Sequence, residues 1–465
     1  MGQETGAKKQ GETGAVTIKA ASGTEIPERT TSAAYPWYVA GILSLAYCFS
    51  AIDARVLTLL VIPIKEDLHL TDFQISLLQG FAFALLYSVA AIPIGRLVDT
   101  SRRRTPIIVV GVLFWSVMTM MCGLARSFWQ LFAARIGVGM GEATLSPTAY
   151  SLLSDYFEPK RRALAISLYA IGYPIGGGLA LIIGGVLLQY FTARGGGSLP
   201  VIGALAPWQM VFIAVGLPGA IIAALIMSIR EPVRRELAKG YEDRVMPLSE
   251  TVSYLRANWR VYGMLIGSIS LIGMLAIGSS LWYPTFLIRT YNMPVAEVGL
   301  YYGFVMLLCG TVGTIGGGWM SGRLMQKGQS DANIRIVLVT TVLKALPLIV
   351  GPLMPSAPLA LACMAVGTLI GQGAQGVMIS AIQDVTPNQL RGQVMALTLL
   401  SVNLVGLGLG ASFIAAITDF GFQDEGAIRY SIAIAGAVLL PLIVTIIVAG
   451  MPLYRRTLAA RQMSV

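Results

Sequence analysis

The chain carries a single histidine, His69, in 465 residues, and that scarcity removes several chemistries at once. A histidine proton relay, a Ser-His nucleophile pair and a histidine metal site all need imidazole at the site, and one ring in a short polar loop supplies none of them. The four cysteines, Cys48, Cys122, Cys309 and Cys363, fall inside apolar stretches without disulfide or zinc spacing. They read as buried thiols, and neither a metal nor a cofactor is expected. Charge is scarce as well. Only 12% of the residues are charged against 55% hydrophobic, a balance too apolar for ordinary soluble domains. The formal charge of +10 does not point to nucleic acid, because the bases gather in alternate loops between apolar runs.

Those apolar runs are what the sequence does contain. Hydrocarbon requires every backbone polar group to be bonded internally, and the runs fit helices of about 20 residues while exceeding the roughly 10 of a barrel strand. Twelve spans are read near 37–60, 76–97, 105–124, 130–154, 163–189, 207–229, 261–287, 297–320, 335–354, 358–382, 393–417 and 430–453. The expected fold class is an all-α polytopic membrane protein. Arg102, Arg103, Arg104, Lys160, Arg161, Arg162, Arg230, Arg234, Arg235, Lys239, Arg244, Arg323, Lys327, Arg335, Arg391, Arg455 and Arg456 fall on one side of the membrane. The other side offers only Lys65, Arg126, Arg194, Arg289 and Arg429, which predicts cytoplasmic termini in a cell membrane, the inner one in a Gram-negative source.

Residues 1–34 form a Gly-, Thr-, Lys- and Glu-rich tail without the apolar core of a signal peptide, expected to be a disordered cytoplasmic arm. A first six-helix bundle is expected over 35–229, a polar cytoplasmic linker over 230–259, a second bundle over 260–454 and a short tail over 455–465. The halves read as diverged copies related by an axis along the membrane normal. Asp155 precedes Arg162 by seven residues with Pro159 between, and Asp384 precedes Arg391 by seven with Pro387 between. The stretch from Gly95 to Asp99 has a weaker counterpart in Gly318 to Gly322.

Ionisable residues inside apolar spans carry the functional argument, since each costs on the order of 2.5–3.5 kcal/mol unless it faces a cavity or a partner. Span four holds Arg135 and Glu142 around Gly137, Gly139 and Gly141; the two share one helix face roughly 10 Å apart. Asp53 is the other deep acid, in span one. Desolvation and a neighbouring base act in opposite senses on such carboxyls, so proton binding at Asp53 or Glu142 is expected to free Arg135 to hold or release an anionic substrate. Span ten carries amides at Gln372 and Gln375 instead of charge, which assigns coupling to the first half. Pro174 and Gly176 mark span five as a bending helix. Asn403, Gln372 and Tyr47 are further candidates for contact with substrate, and Tyr301 ranks below them. Lys344 on span nine reads as a lysine that snorkels to the interface.

The segment Gly95-Arg96-Leu97-Val98-Asp99, followed by Arg103 and Arg104, resembles the signature between helices two and three of the major facilitator superfamily. The likeness implies two six-helix bundles and a conformational gate built from Gly95, Asp99, Arg103, Arg104, Asp155, Arg162, Asp384 and Arg391, with Gly95 letting two helices approach. Within that superfamily the chain resembles the Spinster family of lipid transporters through Asp53 to Ile64, Arg135 to Ala143, Asp155 to Arg162, Tyr173 to Gly176, Trp282 to Arg289 and Asn403 to Asp419. That likeness implies a proton-coupled cluster of Asp53, Arg135 and Glu142, and an amphiphilic lysolipid or sphingoid phosphate as substrate. The family usually has Arg directly after the span-one acid, whereas here Ala54 stands there and Arg55 follows, about 100° further round the helix. Similar bacterial carriers take sugar acids or aromatic carboxylates by arginine-based capture. The expected function is proton-coupled transport of a lysolipid-like amphiphile or organic anion by a monomer, with membrane lipids and protons as its other partners. A lipid-modifying membrane enzyme and a channel or receptor are the rival classes.

Overall fold

The computed structural model describes residues 34–101, 103–200, 203–232, 248–327, 329, 331–387 and 390–462. The expected tail up to residue 33, the middle of the linker with Arg234, Arg235, Lys239 and Arg244, and Arg102 lie outside the described residues. Among the described residues, eleven helices are long and apolar enough to cross a membrane: α1 (Tyr35–Leu59), α2 (Asp72–Val98), α3 (Thr105–Cys122), α5 (Leu164–Ala193), α6 (Pro207–Met227), α7 (Trp259–Tyr291), α8 (Val295–Gln326), α9 (Ala332–Leu353), α10 (Ala357–Val385), α11 (Arg391–Phe422) and α12 (Glu425–Ala459). The remaining expected span, α4, is broken into Phe128–Glu142 and Leu145–Tyr156. Each piece is too short to cross alone.

The break has a local cause. Pro147 has no amide to give the Ala143 carbonyl, while the backbone amide and side-chain hydroxyl of Thr144 both turn to the Gly141 carbonyl, at 3.2 and 2.8 Å. The helix therefore interrupts itself directly after Glu142. Helix starts follow capping chemistry elsewhere: Thr71 and Gln74 form a capping box at the head of α2, and Ser127 accepts the Gln130 amide at the head of α4. A two-stranded hairpin, Gly197–Leu199 with Gly203–Leu205, follows α5.

α1–α6 pack on one another, as do α7–α12, and the two sets meet where α5 lies along α8 and α2 along α11. These crossings are close because glycine is there. A Cβ on Gly299 would strike the Leu181 carbonyl of α5, and one on Gly80 would strike the Leu407 carbonyl of α11. Three of these facing helices widen into π turns, at Leu77–Phe81, Val305–Cys309 and Val402–Leu409, which re-aims side chains at the junction.

Most of the described side-chain bonds that join the sets gather at the end of the bundle away from the termini. Asp72, fully buried, takes Lys65 at 2.8 Å and the Arg289 guanidinium at 2.6 Å, and Glu425 takes both cations from the other side at 2.6 and 3.0 Å. The Phe73 amide donates to Asp419 at 2.7 Å, and the Ser76 and Ser412 hydroxyls meet at 3.1 Å. Lys65 and Arg289 are two of the few bases on the sparse side of the charge count, a signal that the sequence reading passed over. At the face that carries the termini, Arg104 pairs with Asp155 of the first set at 2.5 Å and with Glu231, just beyond α6, at 2.9 Å. Burial works against ionised Glu231, but hydrogen bonds from the amides of Thr105 and Arg104 and from both their side chains outweigh it and hold its carboxyl below the usual range.

Arg289→Ala leaves a buried carboxylate short of its partner and should cost about 3–5 kcal/mol in detergent unfolding, whereas Glu425→Gln, at an exposed carboxylate, should cost under about 1 kcal/mol. Equal losses would contradict the lock. Because the Glu231 carboxyl is depressed, its stabilisation is present above its ordinary pKa of about 4.3 and lost as pH falls through the lowered value. Glu231→Gln should therefore lower Tm at pH 7, by an amount that shrinks on acidification below that range; a growing difference would count against it.

Candidate functional site

Between the two sets lies a cavity of about 580 Å³, bounded by residues of α1, α2, α4 and α5 on one wall and of α7–α11 on the other. Its charged lining among the described residues is cationic: Arg55, Arg135 and Lys344. Tyr47, Gln372 and Asn403 also reach it, and Tyr47 stacks on Tyr169 with ring centroids 4.6 Å apart.

Arg135 is 1% exposed and is held by main chain alone among its described hydrogen bonds. Its Nε donates to the Leu78 carbonyl at 3.3 Å, Nη1 to that of Asp53 at 3.3 Å and Nη2 to that of Ala54 at 3.5 Å, and Phe83 lies 5.7 Å beneath it. The carbonyl of Asp53 is available because α1 tightens there and the Leu57 amide bonds Arg55 instead. Leu78 sits in the π turn of α2. Bonds of this length are weak, so the guanidinium is positioned without being saturated.

The two acids expected beside Arg135 are buried, Asp53 and Glu142 each at 4% exposure, and they stand behind the cavity wall. They lie near enough to one another and to Arg135 for their charges to interact, yet no ion pair within 4 Å joins Arg135 to either among the described residues. Ser50 donates to Glu142 Oε2 at 2.5 Å, while Glu142 Oε1 and Asp53 Oδ1 have no hydrogen-bond partner. Thr119 and Trp115 of α3 neighbour the Asp53 carboxyl. Orphaned buried carboxyl oxygens cost on the order of 1–3 kcal/mol or more, so the fold alone does not account for them.

The expectations for Lys344 and Gly95 are corrected by the geometry. Lys344 does not snorkel; it lines the cavity, with Nζ 2.8 Å from where a Cβ of Gly371 would be, because the absent side chain leaves it a channel inward. Arg55 also reaches the cavity and donates to Ser280 of the other set at 2.9 Å. Gly95 supports no close approach here, since nothing lies within 4 Å of a Cβ built on it, and Gly318 and Gly322 are equally open. All three face open space. Pro174 interrupts the bonding of α5 without ending the helix, which runs on to Ala193, and Gly176 packs against the Cys48 carbonyl and Ala51. Gln79, a residue that sequence reasoning missed, is an amide inside an apolar run and lines the same cavity.

Several residues of the expected gate have partners within their own sets. Asp155 binds Arg104, and Arg162 donates to the Ser154 carbonyl at 3.0 Å. Asp384 accepts from Asn333 at 2.7 Å, and Arg391 donates to the Thr386 carbonyl at 3.3 Å. Arg103 is exposed, and the Asp99 side chain lies outside the described residues.

The sequence profile of the Major Facilitator Superfamily matches residues 43–411. An MFS-type efflux pump of Mycolicibacterium smegmatis is 27% identical over 399 residues, 84% of this chain and 86% of that one. A probable galactarate/D-glucarate transporter of Bacillus subtilis is 24% identical over 382 residues, 77% of this chain and 80% of that one. The crystal structure of a bacterial homologue of the human lysosomal transporter Spinster, inward-facing and unoccupied, superposes with a TM-score of 0.74 at 26% identity, covering 92% of this chain and 98% of that one. Relatives and structural neighbours are transporters rather than enzymes. With more than half its length matched by the profile, the chain belongs to the major facilitator superfamily.

Proposed function

We propose that the chain is a proton-coupled secondary transporter of an organic anion with an amphiphilic body, working by alternating access between two six-helix halves. The observation that carries this reading is the cavity lining, in which Arg55, Arg135 and Lys344 present positive charge with no carboxylate among the described residues. Cations held in a low-dielectric wall without an acidic partner are offset when an anion binds. Tyr47, Gln372 and Asn403 complete the contact. Asp53 and Glu142 act behind the wall: a proton bound at either changes the field on Arg135 and so its hold on the anion. A substrate or proton that favours one arrangement of the halves shifts the population toward it.

In this account 35–229 and 260–454 are the rocking halves, joined by the cytoplasmic linker 230–259, with cytoplasmic tails at 1–34 and 455–465. The protein works as a monomer in the cell membrane, the inner membrane in a Gram-negative source. Gly95, Asp99, Arg103, Arg104, Asp155, Arg162, Asp384 and Arg391 form the gate that closes when the face carrying the termini closes. Pro174 and Gly176 let α5 bend as the halves move. The likeness to the Spinster family favours a lysolipid-like amphiphile. A sugar acid or aromatic carboxylate is the second reading, favoured by a cavity of about 580 Å³ that encloses a small anion whole and by the name of the Bacillus relative.

Reconstitution into proteoliposomes tests both parts. Arg135→Ala should reduce exchange of labelled anion at least about tenfold, the loss of one charge-assisted contact. Asp53→Asn and Glu142→Gln should retain exchange at equal pH but lose accumulation driven by an imposed pH gradient. Neutral variants that still accumulate substrate against its gradient would refute proton coupling through these acids.

A further inference from the structure

Reading the cavity as an anion site leaves three of its buried polar atoms without work. Gln79 is 2% exposed and Tyr302 is 1% exposed, and both line the cavity. Neither Nε2 nor Oε1 of Gln79, nor the Tyr302 hydroxyl, has a hydrogen-bond partner. Each such group costs about 1–3 kcal/mol when left unpaired, and apolar side chains of similar size would avoid the penalty. Packing therefore does not explain them.

Their placement relative to the cations does. Gln79 directly follows Leu78, whose carbonyl takes Arg135 Nε at 3.3 Å, so amide and guanidinium belong to one corner of the first wall. Gly80 fixes that corner by packing on the Leu407 carbonyl of α11. Across the cavity Tyr302 lies within electrostatic reach of Arg55, which is itself tied to Ser280 at 2.9 Å. Each of these neutral groups thus has a cation near it, Gln79 beside Arg135 on one wall and Tyr302 facing Arg55 from the opposite wall. An amide offers both a donor and an acceptor, and a phenol offers either, which is the complement of an alcohol.

We infer that Gln79 and Tyr302 bind hydroxyl groups set beside the anionic group of the substrate, so that the transported molecule is a hydroxylated organic anion and not a plain carboxylate or fatty acid. This rests on the anion reading above and narrows it. A polyhydroxy acid carries the required pattern, and so does the head of a lysolipid, with a free glycerol hydroxyl next to its phosphate. A site built to bond a hydroxyl discriminates strongly against the analogue that lacks it, because its own polar groups are then buried unpaired.

Isothermal titration of the purified full chain in detergent tests the inference with two matched pairs: D-gluconate against hexanoate, and 1-oleoyl lysophosphatidate against its analogue lacking the free hydroxyl. At least one hydroxylated member should bind about tenfold or more tightly than its partner, and the pair that shows the difference names the source. Gln79→Leu should abolish that difference, leave the weaker analogue unchanged, and unfold without ligand at the same or a higher temperature, since two unpaired atoms are removed. Equal binding of both members of each pair by the native protein would overturn the inference while leaving the anion reading intact, provided Arg135→Ala still abolishes binding. Binding of no probe would overturn the anion reading and this inference together. A fall of several degrees in the unfolding temperature of Gln79→Leu would assign the residue to the fold and overturn its role in recognition.

Discussion

Everything in this molecule answers to the cost of keeping a polar or charged group away from water inside an apolar slab. Arg135, Asp53 and Glu142 are each at most 4% exposed, at a depth where insertion alone costs several kcal/mol per charge. A buried ion pair would have offset part of that cost, yet the guanidinium rests on three backbone carbonyls and the acids keep oxygens without partners. The arrangement stays unsaturated. An unsaturated cluster beside a cavity leaves room for a further partner, and structural stabilisation by itself favours no such design.

The backbone is shaped around that cluster. α1 tightens and α2 widens at the level of Arg135, which turns carbonyls out of their helical ladders and toward the guanidinium. Glycines at the α5–α8 and α2–α11 crossings let the halves touch at one end, where Asp72, Arg289, Lys65 and Glu425 add an ionic clasp. At the other end Gly95, Gly318 and Gly322 face open space. The same residue type thus serves a closed seam at one face and an open one at the other, which fits a carrier caught with one face shut.

The spans, the charge asymmetry and the rare acids and bases within apolar runs were legible in the chain, because hydrophobic length and misplaced charge are local properties. Direction was not. Lys344 read as a snorkelling lysine because one sequence cannot show that Gly371 opens an inward channel on the neighbouring helix. Gln79 was passed over since a neutral amide in a span carries no charge penalty to draw the eye, and its unpaired state is a property of the fold. α4 read as one helix because its apolar pattern continues across Ala143, while the missing Pro147 amide and the Thr144 turn break the backbone underneath. The ionic clasp needed pairing across some 220 residues of sequence, from Asp72 to Arg289.

Alternating access requires the two sets to move as bodies about the cavity. Distances between spin-label pairs, one pair at Arg161 and Gln326 on the face of the termini and one at Glu66 and Asp424 on the other, measure it directly by double electron-electron resonance. On adding a bound anion and lowering the pH, the populations of the two distances should shift in opposite senses, one face opening as the other closes. If both distances stay fixed, or both lengthen together, the alternating-access account is wrong.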